Sequence, residues 1–200
     1  MPEKNLTGKQ IAIVVSFKDF RDEEYFVPKE ILTAAGAKIK TVSTKGGLAV
    51  GADGGEAEID LLISEINIAK FADLQSKSSH DSIQSISSFD AVVFIGGPGA
   101  LKYLDNEDFY KLARETIAQD KVLAAICISP VILAKAGVLE GKRATVWSSP
   151  MDKEPIRTLK DYGAVYQDAP VVIDGKIITG NGPAAAKRFT EAIVMLLTEI

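Results

Sequence analysis

The chain has 200 residues, 46% of them hydrophobic and 25% charged, with a formal net charge of −4. This balance predicts a folded globular protein with a full hydrophobic core and excludes disordered and fibrous architectures. No dense Lys/Arg block is present, so nucleic acid and anionic membrane surfaces are poor partners. The polar start "MPEKNLTGKQ" and the lack of a bilayer-length apolar run predict neither a signal peptide nor a membrane span. A single cysteine, Cys127, excludes an internal disulfide and a multi-cysteine metal cage. The expectations are a reducing cytoplasm and no metal or other cofactor.

Apolar runs alternate with helical patterns along the chain. "IAIVV" (11–15) reads as a strand buried on both faces. From Arg21 to Ala35 the spacing of Phe26, Ile31, Leu32 and Ala35 predicts an amphipathic helix stopped by Gly36. "KIKTVST" (38–44) is a second strand. "GGLAVGADGGEAEIDLLISEI" is glycine-rich and then alternating, which suits a hairpin or an added strand. Leu74 to Ser88 is serine-rich and polar, predicting a surface loop or weak helix; it holds the only histidine, His80. The organisation expected is one domain over 1–200, with an inserted hairpin or loop at about 50–88.

"AVVFIGG" (91–97) is a third strand, followed by helices near 100–104 and 107–119. "KVLAAI" (121–126) is a fourth strand, and Ser129 to Ala136 a helix closed by Gly137. "PVVIDGKIITG" predicts two strands around a turn at Asp174–Gly175. The tail from Ala184 to Leu197 is a last helix, and "KEPIRTLKDYG" a solvated helical face. Strand–helix alternation predicts a mostly parallel sheet covered on both faces. Ligands of such sheets bind outside the carboxyl ends of the strands.

Cys127 falls between a predicted strand and a helix with Pro130 in its first turn, the mechanics of a nucleophile elbow. A helix N-terminus there favours a thiolate. The alternative is a small buried hydrophobe, the usual fate of a free cysteine. "FIGGPGA" places Gly96 and Gly97 at the end of the neighbouring strand. Their turn brings a backbone N–H, assigned to Gly97, beside the cysteine. With the N–H of Ile128 it makes a two-donor oxyanion hole. The competing reading is a plain turn that needs positive φ.

Three separated stretches, "VVFIGGPGA", "AAICISPVILAKAGVLEGKRAT" and "VVIDGKIITGNGPAAAKRF", together resemble the ThiJ/PfpI superfamily, from about Lys9 to the C-terminus. The resemblance implies a flavodoxin-like three-layer sandwich with a nucleophile elbow, usually a homodimer built on the first helix. It also implies a glutamate from that helix beside the cysteine, four residues before a proline; "EYFVP" makes this Glu24. Gly96, Tyr25, Trp147 and Pro183 are the expected pocket residues. For the two aromatics, core or interface packing is the competing fate.

Two family histidine positions are absent: the residue after the cysteine is Ile128, and the segment after the elbow helix carries Trp147. Peptide hydrolysis needs a base for the thiol and an acid for the leaving amine, so a PfpI-type cysteine protease is disfavoured. Addition of a thiolate to a small reactive carbonyl asks less. Glyoxalase or deglycase chemistry by Cys127 and Glu24 is the expected activity, with a non-enzymatic oxidation sensor or chaperone-like stress protein as the alternative. A neutral Glu24 beside the sulfur is expected to hold the thiol pKa below the free value of about 8.5.

Overall fold

The protein is described by a computed structural model covering residues 5–68 and 84–199. His80 and residues 74–83 of the serine-rich stretch lie outside the described residues. The first half runs β1 (Gln10–Val14), β2 (Lys18–Phe20), α1 (Asp22–Ala34), β3 (Lys38–Ser43), β4 (Gly47–Gly51), β5 (Glu56–Ile59), β6 (Leu61–Leu62), β7 (Ile66–Asn67), β8 (Gln84–Ser85) and β9 (Ala91–Phe94). The second half runs α2 (Ala100–Tyr103), α3 (Glu107–Ala118), β10 (Val122–Ile126), α4 (Pro130–Lys135), β11 (Arg143–Ala144), α5 (Glu154–Asp161), β12 (Val165–Tyr166), β13 (Val171–Asp174), β14 (Ile177–Gly180) and α6 (Ala186–Thr198).

The central sheet has seven strands in the order β13-β14-β10-β9-β1-β3-β6. Its pairs are parallel except β13 with β14. Pairing of Asp174 with Ile177 leaves Gly175 and Lys176 as the hairpin loop, one residue later than the sequence suggested. Alternate residues of each strand feed two cores. Ala12, Val14, Val92, Phe94, Leu123 and Ala125 pack under α3 and α4. Ile11, Ile13, Val93, Ala124 and Ile126 pack under α1 and α6. Burial on both faces explains why these strands read as unbroken apolar runs.

The glycine-rich stretch contributes in both of the ways the sequence allowed. β4 and β5 form an antiparallel hairpin joined to β2, and β6 extends the main sheet beside β3. The hairpin turn is tied to the start of α1: the Asp22 carboxylate accepts the N–H groups of Asp53 (2.8 Å) and Gly55 (2.6 Å). A Cβ on Gly51 or Gly55 would lie 2.3 Å from an Asp22 oxygen, so glycine is needed at both positions.

Helix α1 buries a different stripe from the one its apolar residues suggest. Glu24, Tyr25, Pro28 and Leu32 face inward, while Phe26 is 39% exposed. The hydroxyl of Tyr25 pairs with Thr41 Oγ1 (2.8 Å), which makes an amphipathic tyrosine acceptable in the core where Phe26 was expected. No helix among the described residues is long and apolar enough to cross a membrane.

Phe109 is fully buried against Phe94, and Leu48 is largely exposed. Phe109→Ala is expected to cost about 3–5 kcal/mol in urea unfolding, and Leu48→Ala within about 0.5 kcal/mol. Equal costs would mean the assigned core is wrong.

Candidate functional site

Strand β10 ends at Ile126 and α4 begins at Pro130, so Cys127 occupies the turn between them. Its φ is +63°, a left-handed conformation that disfavours side chains. Three contacts hold the turn. The Cys127 N–H donates to the Gly180 carbonyl (2.9 Å), the Trp147 N–H donates to the Cys127 carbonyl (2.8 Å), and the Ser129 hydroxyl donates to the Ile95 carbonyl (2.8 Å). The strained residue is therefore fixed by both neighbouring strands and by the segment after β11. Helix α4 is only six residues long, so the helix end expected to favour a thiolate reduces in practice to the Ile128 N–H.

Cys127 is 8% exposed and lies against Glu24, which is 0% exposed. Gly96 sits between them: a Cβ there would meet Cys127 Cβ at 2.5 Å and Glu24 Oε2 at 2.8 Å. The Gly96 N–H donates to Glu24 Oε2 (3.2 Å). Gly96 is thus a spacer beneath the cysteine rather than a cleft-lining residue. Glu24 Oε1 is buried with no hydrogen-bond partner among the described residues, and the Cys127 side chain acts on the carboxyl as a whole. The N–H groups of Gly97 and Ile128 both act on the sulfur and favour its charged form. Gly97 has a φ of +112°, and its missing Cβ would lie 2.4 Å from the Arg21 nitrogen.

Burial pushes the Glu24 carboxyl up to about 7, against contacts with Cys127, Gly96 and Arg21 that favour its charged form. Burial and then the Glu24 charge push the Cys127 thiol up to about 12, against the N–H groups of Gly97 and Ile128. The expected low thiol pKa is therefore reversed, because desolvation outweighs the two backbone donors. As a unit, the pair releases one proton near neutrality and holds the second into strong alkali. After the first loss, carboxylate with thiol and acid with thiolate carry the same charge and differ only by a proton moved between them.

A cleft of about 370 Å³ opens above the sulfur, lined by Arg21, Gly97, Pro98, Leu101, Cys127, Ile128, Trp147, Asp152 and Pro183. Trp147 and Pro183 thus lie where the sequence placed them. Tyr25 does not: its ring is in the core and its hydroxyl is occupied by Thr41 and Lys29. Sequence reasoning missed Arg21 and Asp152. The available signal for Arg21 was its place at the start of α1, three residues before Glu24. No group of three metal-ligating side chains converges among the described residues.

A left-handed cysteine in the turn between a parallel strand and a helix, faced by a buried carboxyl, is the backbone geometry of an elbow-type α/β protein. The chain belongs to the DJ-1/PfpI family, whose model matches residues 9–196. It is similar to an uncharacterized protein of Methanocaldococcus jannaschii, 36% identical over 187 residues, covering 93% of this chain and 81% of the relative. A deglycase of Pyrococcus abyssi is 28% identical over 185 residues, covering 92% and 98%. Among solved structures, a ThiJ/PfpI domain protein from Brachyspira murdochii matches with a TM-score of 0.83 at 33% identity, covering 97% of this chain and 99% of that one.

The site makes a specific expectation for reactivity. Iodoacetamide alkylation of Cys127 is expected to rise with pH through a midpoint near 7, set by the first proton of the pair. Glu24→Gln is expected to abolish that midpoint and delay reaction to alkaline pH. A wild-type midpoint near the free-thiol value of about 8.5, unchanged in the variant, would show that the two groups are uncoupled.

Proposed function

We propose that this protein is a cysteine-dependent enzyme acting on small reactive carbonyl compounds, with glyoxalase or deglycase chemistry. The observation that carries the reading is the contact between Cys127 at φ +63° and a buried Glu24 whose carboxyl titrates near 7. A base of that strength suits proton transfer at neutral pH. The Pyrococcus relative named as a deglycase points the same way.

With methylglyoxal, the Cys127 sulfur adds to the aldehyde carbon. One S–C bond forms, the carbonyl π bond opens, and the thiol proton passes to Glu24. The Gly97 and Ile128 N–H groups, which first face the sulfur, serve the developing alkoxide. Glu24 returns that proton to the new alkoxide, giving the hemithioacetal. As a carboxylate it then carries the proton of the hemithioacetal carbon to the adjacent carbon while the hydroxyl proton passes to the former ketone oxygen, giving a 2-hydroxyacyl thioester. Water releases the resulting thioester as a hydroxy acid and restores the thiol. The overall change is addition of water with internal oxidation and reduction, so no cofactor takes part. Ile128 and Trp147 occupy the two positions that resemble family histidine sites, which leaves Glu24 as the proton carrier and disfavours peptide hydrolysis.

A second reading is supported by the same surroundings. A carboxyl and two N–H donors around one sulfur suit a reversibly oxidised cysteine, hence an oxidation sensor or stress-protective protein without turnover. We also propose a cytoplasmic homodimer with the whole chain as one domain. Exposed Phe26 on α1 and Leu48 and Val50 on the adjoining hairpin supply apolar surface for the contact.

Lactate production from methylglyoxal by the purified protein, beside Cys127→Ala and Glu24→Gln, tests the first reading. Turnover is expected in wild type, background in the cysteine variant, and a loss on the order of 100-fold in Glu24→Gln. No wild-type turnover, together with stoichiometric oxidation of Cys127 by peroxide, would replace the enzyme by the sensor.

A further inference from the structure

The cleft carries a cation that the proposed chemistry does not use. Arg21 immediately precedes α1 and lines the cavity with Cys127 and Ile128. Its Nε is buried and has no hydrogen-bond partner. Among the described residues only NH1 is engaged, in a long contact with Asp53 (3.3 Å) on the hairpin turn, where the Asp53 side chain is 63% exposed. A guanidinium has five donors in a planar fork, so among the described residues most of this one's donors have no protein partner, and its side chain is 34% exposed. The opposing charge in the cleft, Asp152, makes no ion pair with Arg21 among the described residues; its Oδ1 accepts the Glu154 N–H (2.9 Å) at the start of α5. Arg21 also acts electrostatically on Glu24, so it stands close to the reacting groups.

We propose that Arg21 is a specificity-determining residue that selects carbonyl compounds bearing a carboxylate, so that the guanidinium holds the acid while Cys127 meets the carbonyl carbon. The substrate class is then oxo-aldehydes with a short acidic tail, of which 4,5-dioxopentanoate is an example, rather than neutral dicarbonyls. This assignment rests on the reading of Cys127 as nucleophile. The covalent step is unchanged: the S–C bond forms, the π bond opens, and the thiol proton travels through Glu24 to the new hydroxyl. Arg21 gives up no proton.

Two alkylating agents separate anion recognition from turnover. Iodoacetate and iodoacetamide have nearly the same shape and differ in charge; each forms an S–C bond and expels iodide. The quantity read is the iodoacetate-to-iodoacetamide rate ratio at Cys127, divided by the same ratio for free cysteine. Any change in thiol ionisation cancels in it. Wild type is expected to show a normalised ratio about tenfold above that of Arg21→Gln, the size of effect a charge-assisted contact gives. Arg21→Lys is expected to keep part of it. Asp53→Asn frees NH1 and is expected to match or exceed wild type. Equal ratios in wild type and Arg21→Gln would overturn the proposal, as would a fall in Asp53→Asn matching that of Arg21→Gln.

Should Arg21→Gln fail to fold, wild type alone decides. Protection of Cys127 from iodoacetamide by propionate but not propionamide supports the assignment; equal protection, or none, overturns it. A high ratio in a protein that does not turn over methylglyoxal or 4,5-dioxopentanoate would keep the Arg21 assignment and remove only the enzymatic reading.

Discussion

Everything at the carboxyl end of this sheet is arranged around one costly contact, the fully buried Glu24 carboxyl against the Cys127 sulfur. A carboxylate out of water is expensive unless it is paired or protonated. Here it receives one backbone N–H, from Gly96, and burial pushes its pKa up to about 7. The geometry around it follows from that need. Gly96 has no room for a Cβ, Gly97 bends away at φ +112°, and Cys127 takes a left-handed backbone so that its side chain turns back toward α1. Asp22 fastens the β4–β5 hairpin over the first turn of α1, which fixes the helix that carries Glu24.

The cost of burial becomes a chemical asset. A carboxyl moved from its ordinary range to about 7 changes protonation state where the cell works, and an ordinary surface glutamate does not. The same burial pushes the thiol up, so that Glu24 and not Cys127 is the group that changes charge near neutrality. This division of labour needs no imidazole, which is consistent with Ile128 and Trp147 standing at the cleft. Arg21 adds a positive charge at the cleft wall, beside Cys127 and Ile128.

Much of this was legible in the residues. The parallel sheet follows from short β-branched runs separated by helical periods, and the elbow from a cysteine between such a run and an N-terminal proline. Glu24 was found through a spacing to Pro28 that resembles the superfamily pattern rather than through any physical signal, since an acidic residue in a first helical turn is usually solvated. Tyr25 was misplaced because aromaticity beside Glu24 says nothing of which way α1 faces; its partner Thr41 lies on β3, far along the chain. The sign of the Cys127 shift was misread for a related reason. Donors can be counted from a turn, but the depth of burial that outweighs them belongs to the packed structure. Arg21 was passed over as an ordinary charge at a helix start, because an unpartnered Nε is a property of the fold.

The central claim, a desolvated Glu24 carboxyl that titrates near neutrality, is tested most directly by the pH dependence of stability. Glu24 titrates at about 7 when folded and at its ordinary 4.5 when unfolded. The folded state therefore holds a proton that the unfolded state releases, so this contribution is fully present below pH 4.5 and is lost as pH rises toward 7. The measurement is the difference in urea-unfolding free energy between wild type and Glu24→Gln from pH 4 to pH 8. Wild type is expected to weaken relative to the variant by about 3 kcal/mol across that range, most of it before pH 7. A difference that stays constant with pH would mean that Glu24 ionises as an ordinary carboxylate, and would contradict the desolvation of that carboxyl on which the account of the site depends.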